Sequence, residues 1–249
     1  MDMINSDEAL RLRVIHLLSE KLPKNAILKG GMVLRILDCP RNTNDLDYVF
    51  IPFKSKKKIV PLMQNIFSAY EGVKLEVGLH STSARFKLYL KNKNGNYKTQ
   101  IEINVAKECE YEAVATSQVS IRYHQVSHVV KVMRNDIAFA NKLSAWVERR
   151  LMRDAYDIYF FFKILGEMPN RKTLENRLKK LNFARRLRQS SLPKKMSFEE
   201  FLKFFEQTVD QVTAEEIKSE LHAVLDPIQL PGLEKKIKIA MREMIERLK

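Results

Sequence analysis

The stretch LKGGMVLRILDCPRNTNDLDYVF, residues 28–50, joins two adjacent glycines to two closely spaced aspartates through a short apolar segment. The preceding AILKG predicts a buried strand, and MVLRIL predicts a helix that ends before Pro40. DLDYVFIPF predicts a second strand, because alternation and aromatic residues favour extended structure. A strand, a helix and a second strand in this order predict the centre of a mixed sheet.

Periodicity outside this stretch predicts how the rest of the chain is organised. Apolar residues on one face predict a helix over residues 8–21, and KKKIVPLMQNIFSAY is helical in character. ARFKLYLKN and KTQIEINVAK flank NKNGN, which predicts a hairpin because Asn-Gly permits the positive φ of a tight turn. From about residue 128 the pattern is almost wholly helical, with one helix from about residue 135 to residue 150.

We therefore predict an α+β fold with two domains. Residues 1–130 form a small mixed-sheet core, and residues 131–249 form a helical domain that contributes to a cleft.

Composition restricts the compartment and the partners. The formal net charge of +14 in 249 residues favours encounters with polyanions such as RNA or nucleotides. The two cysteines are far apart in the sequence, so neither a disulfide framework nor a cysteine-rich zinc site is indicated. The N-terminal residues lack a basic segment followed by an apolar one, and the most apolar run, YFFFKIL, is too short to cross a bilayer. We expect a soluble cytoplasmic protein that does not bind a membrane.

The aspartates and the glycines have complementary chemistry. Asp45 and Asp47 share one face of the predicted strand, and two adjacent carboxylates favour a counter-cation such as Mg²⁺. Gly30 and Gly31 permit close approach of the backbone to a phosphate at the start of the next helix. We interpret the glycines as holding a triphosphate and the aspartates as holding its metal ions. Taken singly, each motif also has a structural explanation, a solvated strand edge or a turn.

Other residues extend this predicted site. Two-metal phosphoryl transfer requires ligands on both sides of the reacting centre, and Glu102 in QIEINVA alternates away from the apolar face. Glu102 is therefore a third metal ligand or a base, or else an ordinary exposed strand residue. Arg41 and Thr43 precede the aspartates, where they either orient phosphate or shape the loop.

Residues 28–50 resemble the first motif of the AbiEii-type nucleotidyltransferases, of the DNA polymerase β superfamily: two glycines, an apolar helix, an arginine and Asp-Leu-Asp. NKLSAWVERRLMRDAYDIYFFF, residues 141–162, resembles the family's later helical motif. The resemblance implies that residues 1–130 are a nucleotidyltransferase core. It further implies Mg²⁺-dependent transfer of a nucleoside monophosphate from an NTP, with two ions at the site. Members of the family are toxins of toxin–antitoxin systems, and some modify tRNA, so an antitoxin is a possible partner.

The same resemblance assigns two residues of the helical motif. Lys142 would contact nucleotide phosphates, and Asp157 would be the polar partner near the reacting centre. Asp154 either shares that role or forms ion pairs at the start of the helix carrying YFFF, where an acidic residue is favourable. The aromatics of YFFF and Trp146 are predicted to pack in the core rather than stack on bases.

Charge within the helical half suggests an acceptor site. Residues 163–195 hold eleven lysines or arginines against only Glu167 and Glu175. We predict that Arg185, Arg186 and Arg188 bind RNA by contacting its phosphates.

Alternatives stay open at the level of sequence. In the first alternative, the acceptor is a protein or a small molecule instead of RNA. In the second, the chain is a basic RNA-binding module without catalysis. Met32 keeps the second alternative open, because the family often has Ser or Thr directly after the paired glycines.

Overall fold

The computed structural model describes residues 4–184, 187 and 193–249. The chain divides into two compact units, Met1–Arg134 and Asn135–Lys249. In the described part of the chain, no helix combines the length and the apolar character needed to cross a membrane.

A seven-stranded mixed sheet forms the first unit. Its strands are β1 Ala26–Lys29, β2 Asp45–Phe50, β3 Val73–Leu79, β4 Ala84–Asn92, β5 Gly95–Val105, β6 Tyr111–Ala115 and β7 Val129–Met133. Their order across the sheet is β3-β4-β5-β2-β1-β7-β6. The β2/β5 and β1/β7 pairs are parallel and the other pairs are antiparallel. β2 thus lies near the middle of the sheet, with a neighbour on each side.

Helices pack on one face of this sheet. They are α1 Asp7–Lys21, α2 Gly31–Ile36, α3 Ile59–Ser68, which follows a 3₁₀ turn at Lys56–Lys58, and α4 Ser117–Arg122. Alternate residues of the strands, such as Leu46, Tyr48 and Ile101, join apolar residues of these helices in one buried core. The intervening residues lie on the opposite face, and most of those on β4 and β5 are polar.

All regular secondary structure in the described residues of the second unit is helical. Its helices are α5 Asn135–Arg149, α6 Met152–Tyr159, which continues as a π-helical segment Phe160–Ile164, α7 Arg171–Leu178, α8 Phe198–Asp210, α9 Ala214–Leu221 and α10 Leu233–Leu248, with a 3₁₀ turn at Pro227–Gln229. Phe139 and Phe161 stack with ring centroids 5.2 Å apart. Trp146 is buried and donates its indole N–H to the hydroxyl of Thr208, 3.3 Å away. The aromatics of this unit therefore form its core, as the sequence predicts.

Several predicted elements are confirmed and one assignment is wrong. The α+β class, the first helix, the hairpin and the helix beginning at residue 135 are present as expected. The chain is not helical from residue 128, because VVKVM forms β7 between β1 and β6. The boundary that we predicted after residue 130 lies inside this strand, whereas the two compact units divide after Arg134.

Candidate active site

β2 carries the two aspartates at its start. Asp45 is exposed, Leu46 is fully buried and Asp47 is half-buried, which is the alternation expected of a strand with one covered face. Both aspartates consequently lie on the side of β2 away from the helices. We call this side of the sheet, which carries Asp45, Asp47 and Glu102, the carboxylate face.

Four charged residues form a cross-strand row on the carboxylate face. The register pairs Asp47 with Lys29 of β1 on one side and with Glu102 of β5 on the other, and Glu102 pairs in turn with Arg85 of β4. Directly opposed residues point to the same face of a sheet, so the row reads Lys29, Asp47, Glu102, Arg85. Two like charges thus lie side by side in the middle, with a cation at each end.

The two cations of the row have partners in the sheet. Arg85 Nη2 lies 3.3 Å from Glu102 Oε2, and these side chains are 37% and 30% exposed. Lys29 Nζ donates to Asn104 Oδ1 at 2.8 Å. Glu102 is therefore already in an ion pair, although a solvent-exposed pair of this kind is worth little and exchanges readily.

The paired glycines approach the side chains of the site itself. Gly30 has φ of 78°, a region that favours glycine, and a methyl group there would collide with the carboxylate of Asp47. A methyl group on Gly31 would lie 2.9 Å from Thr43 Oγ1 and 3.0 Å from Arg41 Nη2. The glycines thus make room for Asp47, Thr43 and Arg41, and their predicted contact with phosphate stays a prediction.

Buried arginines support the loop that leads into β2. Arg41 is buried and donates to the carbonyl of Asn42 at 3.1 Å. Arg11 of α1 is also buried and reaches the carbonyl of Asn44 at 3.5 Å. Burial lowers the pKa of the Arg11 guanidinium, an effect opposed by nearby acidic groups that include Asp45. Two buried cations therefore contact the loop that leads to the first aspartate.

Met32 lies in the core. All six residues of α2 are buried, and the Met32 side chain packs with the apolar residues beneath the sheet. It does not project from the carboxylate face. The family's Ser or Thr hydroxyl is missing at this position, but the Met32 side chain that replaces it does not obstruct that face.

The second unit holds a separate charged cluster between α5 and α6. Lys142 Nζ lies 2.6 Å from Asp157 Oδ2 and 3.5 Å from Asp154 Oδ1. Arg149 binds Asp154 with two parallel hydrogen bonds of 2.6 and 2.7 Å. Both aspartates are 0% exposed and Lys142 is 16% exposed. Two buried carboxylates are thus balanced by two cations.

The electrostatics of this cluster keep Asp154 ionised. Burial alone would raise the pKa of Asp154, but Lys142 and Arg149 outweigh it and hold that pKa below its ordinary value. The ion pairs support the interpretation of Asp154 as a structural partner. They also fix the position of the Lys142 ammonium through Asp157.

The predicted site residues fall into three groups. The first unit brings together Gly30, Gly31, Arg41, Thr43, Asp45, Asp47 and Glu102 around the start of β2. The second unit pairs Lys142 with Asp157. Arg185, Arg186 and Arg188 lie outside the described residues.

Sequence reasoning missed Arg85 and Arg149 as ion-pair partners of these carboxylates, and it missed Lys29 as the residue opposite Asp47. Lys29 directly precedes the glycines, and alternation along β1 could have placed it on the carboxylate face. Arg149 is seven residues from Lys142, a spacing that places both on one side of a helix. Arg85 gave no local signal, because its partner depends on the register of β4 and β5.

Neither the carboxylate face nor the charged cluster of the second unit gathers a complete set of metal ligands in the described part of the chain. Among the described residues, no group of three or more His, Cys, Asp or Glu side chains is arranged to hold an ion. On the carboxylate face, the strand register places Asp47 opposite Glu102, with Asp45 two residues before Asp47 on β2, and carboxylate oxygens are the type of ligand that suits Mg²⁺. Mg²⁺ retains water and substrate oxygens in its remaining positions, so this incomplete set still fits it.

Comparisons with known proteins cover nearly the whole chain. The family model described as Nucleotidyl transferase AbiEii toxin, Type IV TA system, matches residues 16–244. JHP933 from Helicobacter pylori has a similar structure, with 16% identity and a TM-score of 0.60 over 98% of this chain and 94% of that one. A candidate nucleotidyltransferase from H. pylori has 17% identity and a TM-score of 0.58 over 98% and 97%. No curated protein matches the sequence.

Proposed function

The chain belongs to the AbiEii family of nucleotidyltransferase toxins, and we propose that it transfers a nucleoside monophosphate from an NTP to RNA, tRNA in particular, with Mg²⁺. The observation that carries the proposal is the pairing of Asp47 with Glu102 on adjacent parallel strands, with Asp45 on the same face. Adjacent carboxylates near the middle of a sheet are unfavourable without a cation to balance them.

Asp45 and Asp47 are the proposed Mg²⁺ ligands, with Glu102 as a third ligand or as a base. We propose two ions, which would supply neutralisation of the triphosphate charge. To act as a metal ligand or as a base, the Glu102 carboxylate must first leave its ion pair with the Arg85 guanidinium. The modest strength expected of an exposed ion pair makes that separation inexpensive.

Groups around the start of β2 are the proposed nucleotide site of the first unit. Gly30, Gly31, Arg41 and Thr43 bind the phosphates of the nucleotide, with backbone N–H groups and the guanidinium as the donors. Lys142 contacts phosphates as the family resemblance implies, and Asp157 holds its ammonium in place through the 2.6 Å ion pair. Catalysis then consists mainly of positioning and charge neutralisation in an in-line displacement.

We also propose two macromolecular partners. An antitoxin accompanies toxins of this class, and RNA is consistent with the net charge of +14. Arg185, Arg186 and Arg188 remain proposed RNA contacts.

Incubation of the protein with each α-labelled NTP, Mg²⁺ and either total RNA or a cell extract tests the proposal, with Asp47→Asn as the inactive control. We expect label in RNA from the wild type and none from the control. If the label instead appears in a protein or in a small molecule from a cell extract, then the acceptor belongs to that class and not to RNA. No transfer, together with RNA binding but no Mg·NTP binding in calorimetry, would identify an RNA-binding module without catalysis.

A further inference from the structure

The carboxylate face continues beyond the charged row into a lysine-rich surface. Lys74 of β3, Lys87 and Lys91 of β4 and Lys98 of β5 are exposed, and Tyr89 lies half-buried among them. We call these five residues the lysine surface. No residue of the lysine surface belongs to the proposed nucleotide or metal site.

Strand register connects this surface directly to the aspartates. Asp45 pairs with Gln100, and Gln100 pairs with Lys87. The next row on the same face contains Lys98, Tyr89 and Lys74. Neighbouring strands are about 4.8 Å apart, so Lys87 is anchored roughly 10 Å from Asp45 on one continuous face.

The lysine surface borders a hollow and carries positive charge. A hollow of about 760 Å³ is lined by residues that include Lys74, Tyr89, Lys91 and Lys98. Glu76 also lines it and pairs with Lys74 at 2.8 Å. Asp7 lines it as well and accepts a hydrogen bond from the backbone N–H of Lys98 at 2.9 Å. Three lysines against these two acids leave a small surplus of positive charge at the hollow.

The chemistry of the lysine surface fits a single-stranded RNA. Proteins that hold single strands combine a basic groove that follows the phosphates with aromatic rings on which bases stack. Tyr89 supplies a ring between Lys74 and Lys98, with Lys74 Nζ 5.8 Å from its centroid. The strand residues on this part of the face offer no large aliphatic side chain of the kind that anchors a protein in a bilayer.

We propose that the lysine surface binds the single-stranded end of the RNA acceptor and leads it along the sheet to Asp45 and Asp47. This inference rests on the proposed transfer to RNA and adds the path of the acceptor. It assigns the phosphates to Lys74, Lys87 and Lys98, and one base to the ring of Tyr89.

The test compares two triple variants of the full chain for binding a short fluorescein-labelled single-stranded RNA at several salt concentrations. One variant is Lys74→Gln, Lys87→Gln, Lys98→Gln. The matched control is Lys24→Gln, Lys57→Gln, Lys58→Gln, which removes three exposed lysines of the same unit that lie outside the lysine surface. Thermal melts establish that both variants fold, and the single variant Lys98→Gln replaces the triple if it does not.

We expect the lysine-surface variant to bind at least about tenfold more weakly near 0.1 M salt, with a log–log salt slope reduced by about 2, because each lost phosphate contact contributes about 0.7. The control should bind like the wild type. Tyr89→Leu should weaken binding roughly fivefold without changing the slope, since stacking is not a counterion effect.

Each other result would overturn the inference in a distinguishable way. Equal weakening in both triple variants would indicate a general charge effect. If the lysine-surface variant keeps wild-type affinity and binding is lost only when Arg185, Arg186 and Arg188 are neutralised, then the acceptor binds at those arginines instead. That result would leave the proposed function intact. If the wild type binds phosphatidylserine vesicles but no RNA, then the acceptor class itself is wrong.

Discussion

The carboxylates of the two units differ in how their charge is balanced. On β2 and β5, Asp45, Asp47 and Glu102 are exposed or half-exposed, and two of them stand side by side. Between α5 and α6, Asp154 and Asp157 are fully buried, and Lys142 and Arg149 bind them at 2.6 to 3.5 Å.

That difference indicates two different roles for the carboxylates of the two units. Carboxylates that face water beside one another can accept a cation that arrives with a substrate. Carboxylates buried with their counter-ions already in place stabilise the fold and fix the position of a lysine. We therefore interpret the first group as the metal site and the second as the support for Lys142.

The largest expected effect is on transfer. Asp47→Asn, and likewise Asp45→Asn, should lower the transfer rate by about 10³-fold or more, because charge stabilisation by a metal contributes several kcal/mol. The melting temperature should stay the same or rise slightly, since a repulsive pair is relieved. Radiolabel transfer and thermal melts measure the two quantities. Folded variants with near-wild-type transfer would show that these aspartates are not metal ligands.

Removing a carboxylate from the second unit should act on stability instead. Asp154→Ala leaves Arg149 and Lys142 without a shared buried partner, which should lower the free energy of unfolding by about 3–5 kcal/mol. Urea unfolding measures this loss, and Asp45→Asn serves as the control in the first unit. A loss below about 1 kcal/mol would contradict the structural role of Asp154.

Lys142 should show both a structural and a binding role. Lys142→Met leaves buried acids uncompensated, so we expect a loss of about 3 kcal/mol and weaker NTP binding. Adding Asp157→Asn should restore much of the stability, because both charged partners are then absent. NTP affinity, measured by calorimetry, should stay low. Recovery of affinity in the double variant would mean that Lys142 only stabilises the fold.

Acid should destabilise the first unit through His16. Burial, together with His128 and Arg13, lowers the pKa of His16 to about 3, against about 6.5 in the unfolded chain. The unfolded state therefore binds one more proton between these values, and stability falls as the pH falls through that window. From pH 7 to pH 5 this one group should cost about 2 kcal/mol of unfolding free energy.

His16→Gln tests that contribution, since glutamine can replace the 2.9 Å hydrogen bond to Thr116 without titrating. Urea unfolding at several pH values should give a flatter profile for this variant. An unchanged profile would assign the acid sensitivity to other groups.

The smallest expected effect is at the end of the charged row. Arg85→Met removes an exposed ion pair, so stability should change by less than about 1 kcal/mol. Glu102 should then be easier to recruit, and Mn²⁺ affinity should rise about threefold. Titration followed by electron paramagnetic resonance measures this, with Arg122→Met as a control on another exposed pair. Weaker Mn²⁺ binding in Arg85→Met would argue that Arg85 organises the site.

Local patterns in the sequence predicted the parts of the site that depend on one element. Alternation along β2 placed Asp45 and Asp47 on one face, and the same argument placed Glu102 away from the core. These inferences need only the period of a strand.

The remaining features depend on contacts between distant segments. The row from Lys29 to Arg85 exists only because four strands align in one register, which no local pattern encodes. The Lys142 and Asp157 pair crosses the break between α5 and α6 at Arg150, where φ is 49°. The short apolar run VVKVM suits a strand or a buried helix equally well, and its pairing with β1 decides for the strand.

The most direct test of the central claim is Mn²⁺ binding in the presence of a non-hydrolysable NTP analogue, followed by electron paramagnetic resonance. Wild type is compared with two double variants, Asp45→Asn with Asp47→Asn and Lys142→Met with Asp157→Asn. We predict that the β2 variant loses bound Mn²⁺ while keeping its melting temperature, and that the second variant still binds Mn²⁺ but holds the nucleotide weakly. Undiminished Mn²⁺ binding by the folded β2 variant would contradict the assignment of Asp45 and Asp47 as metal ligands.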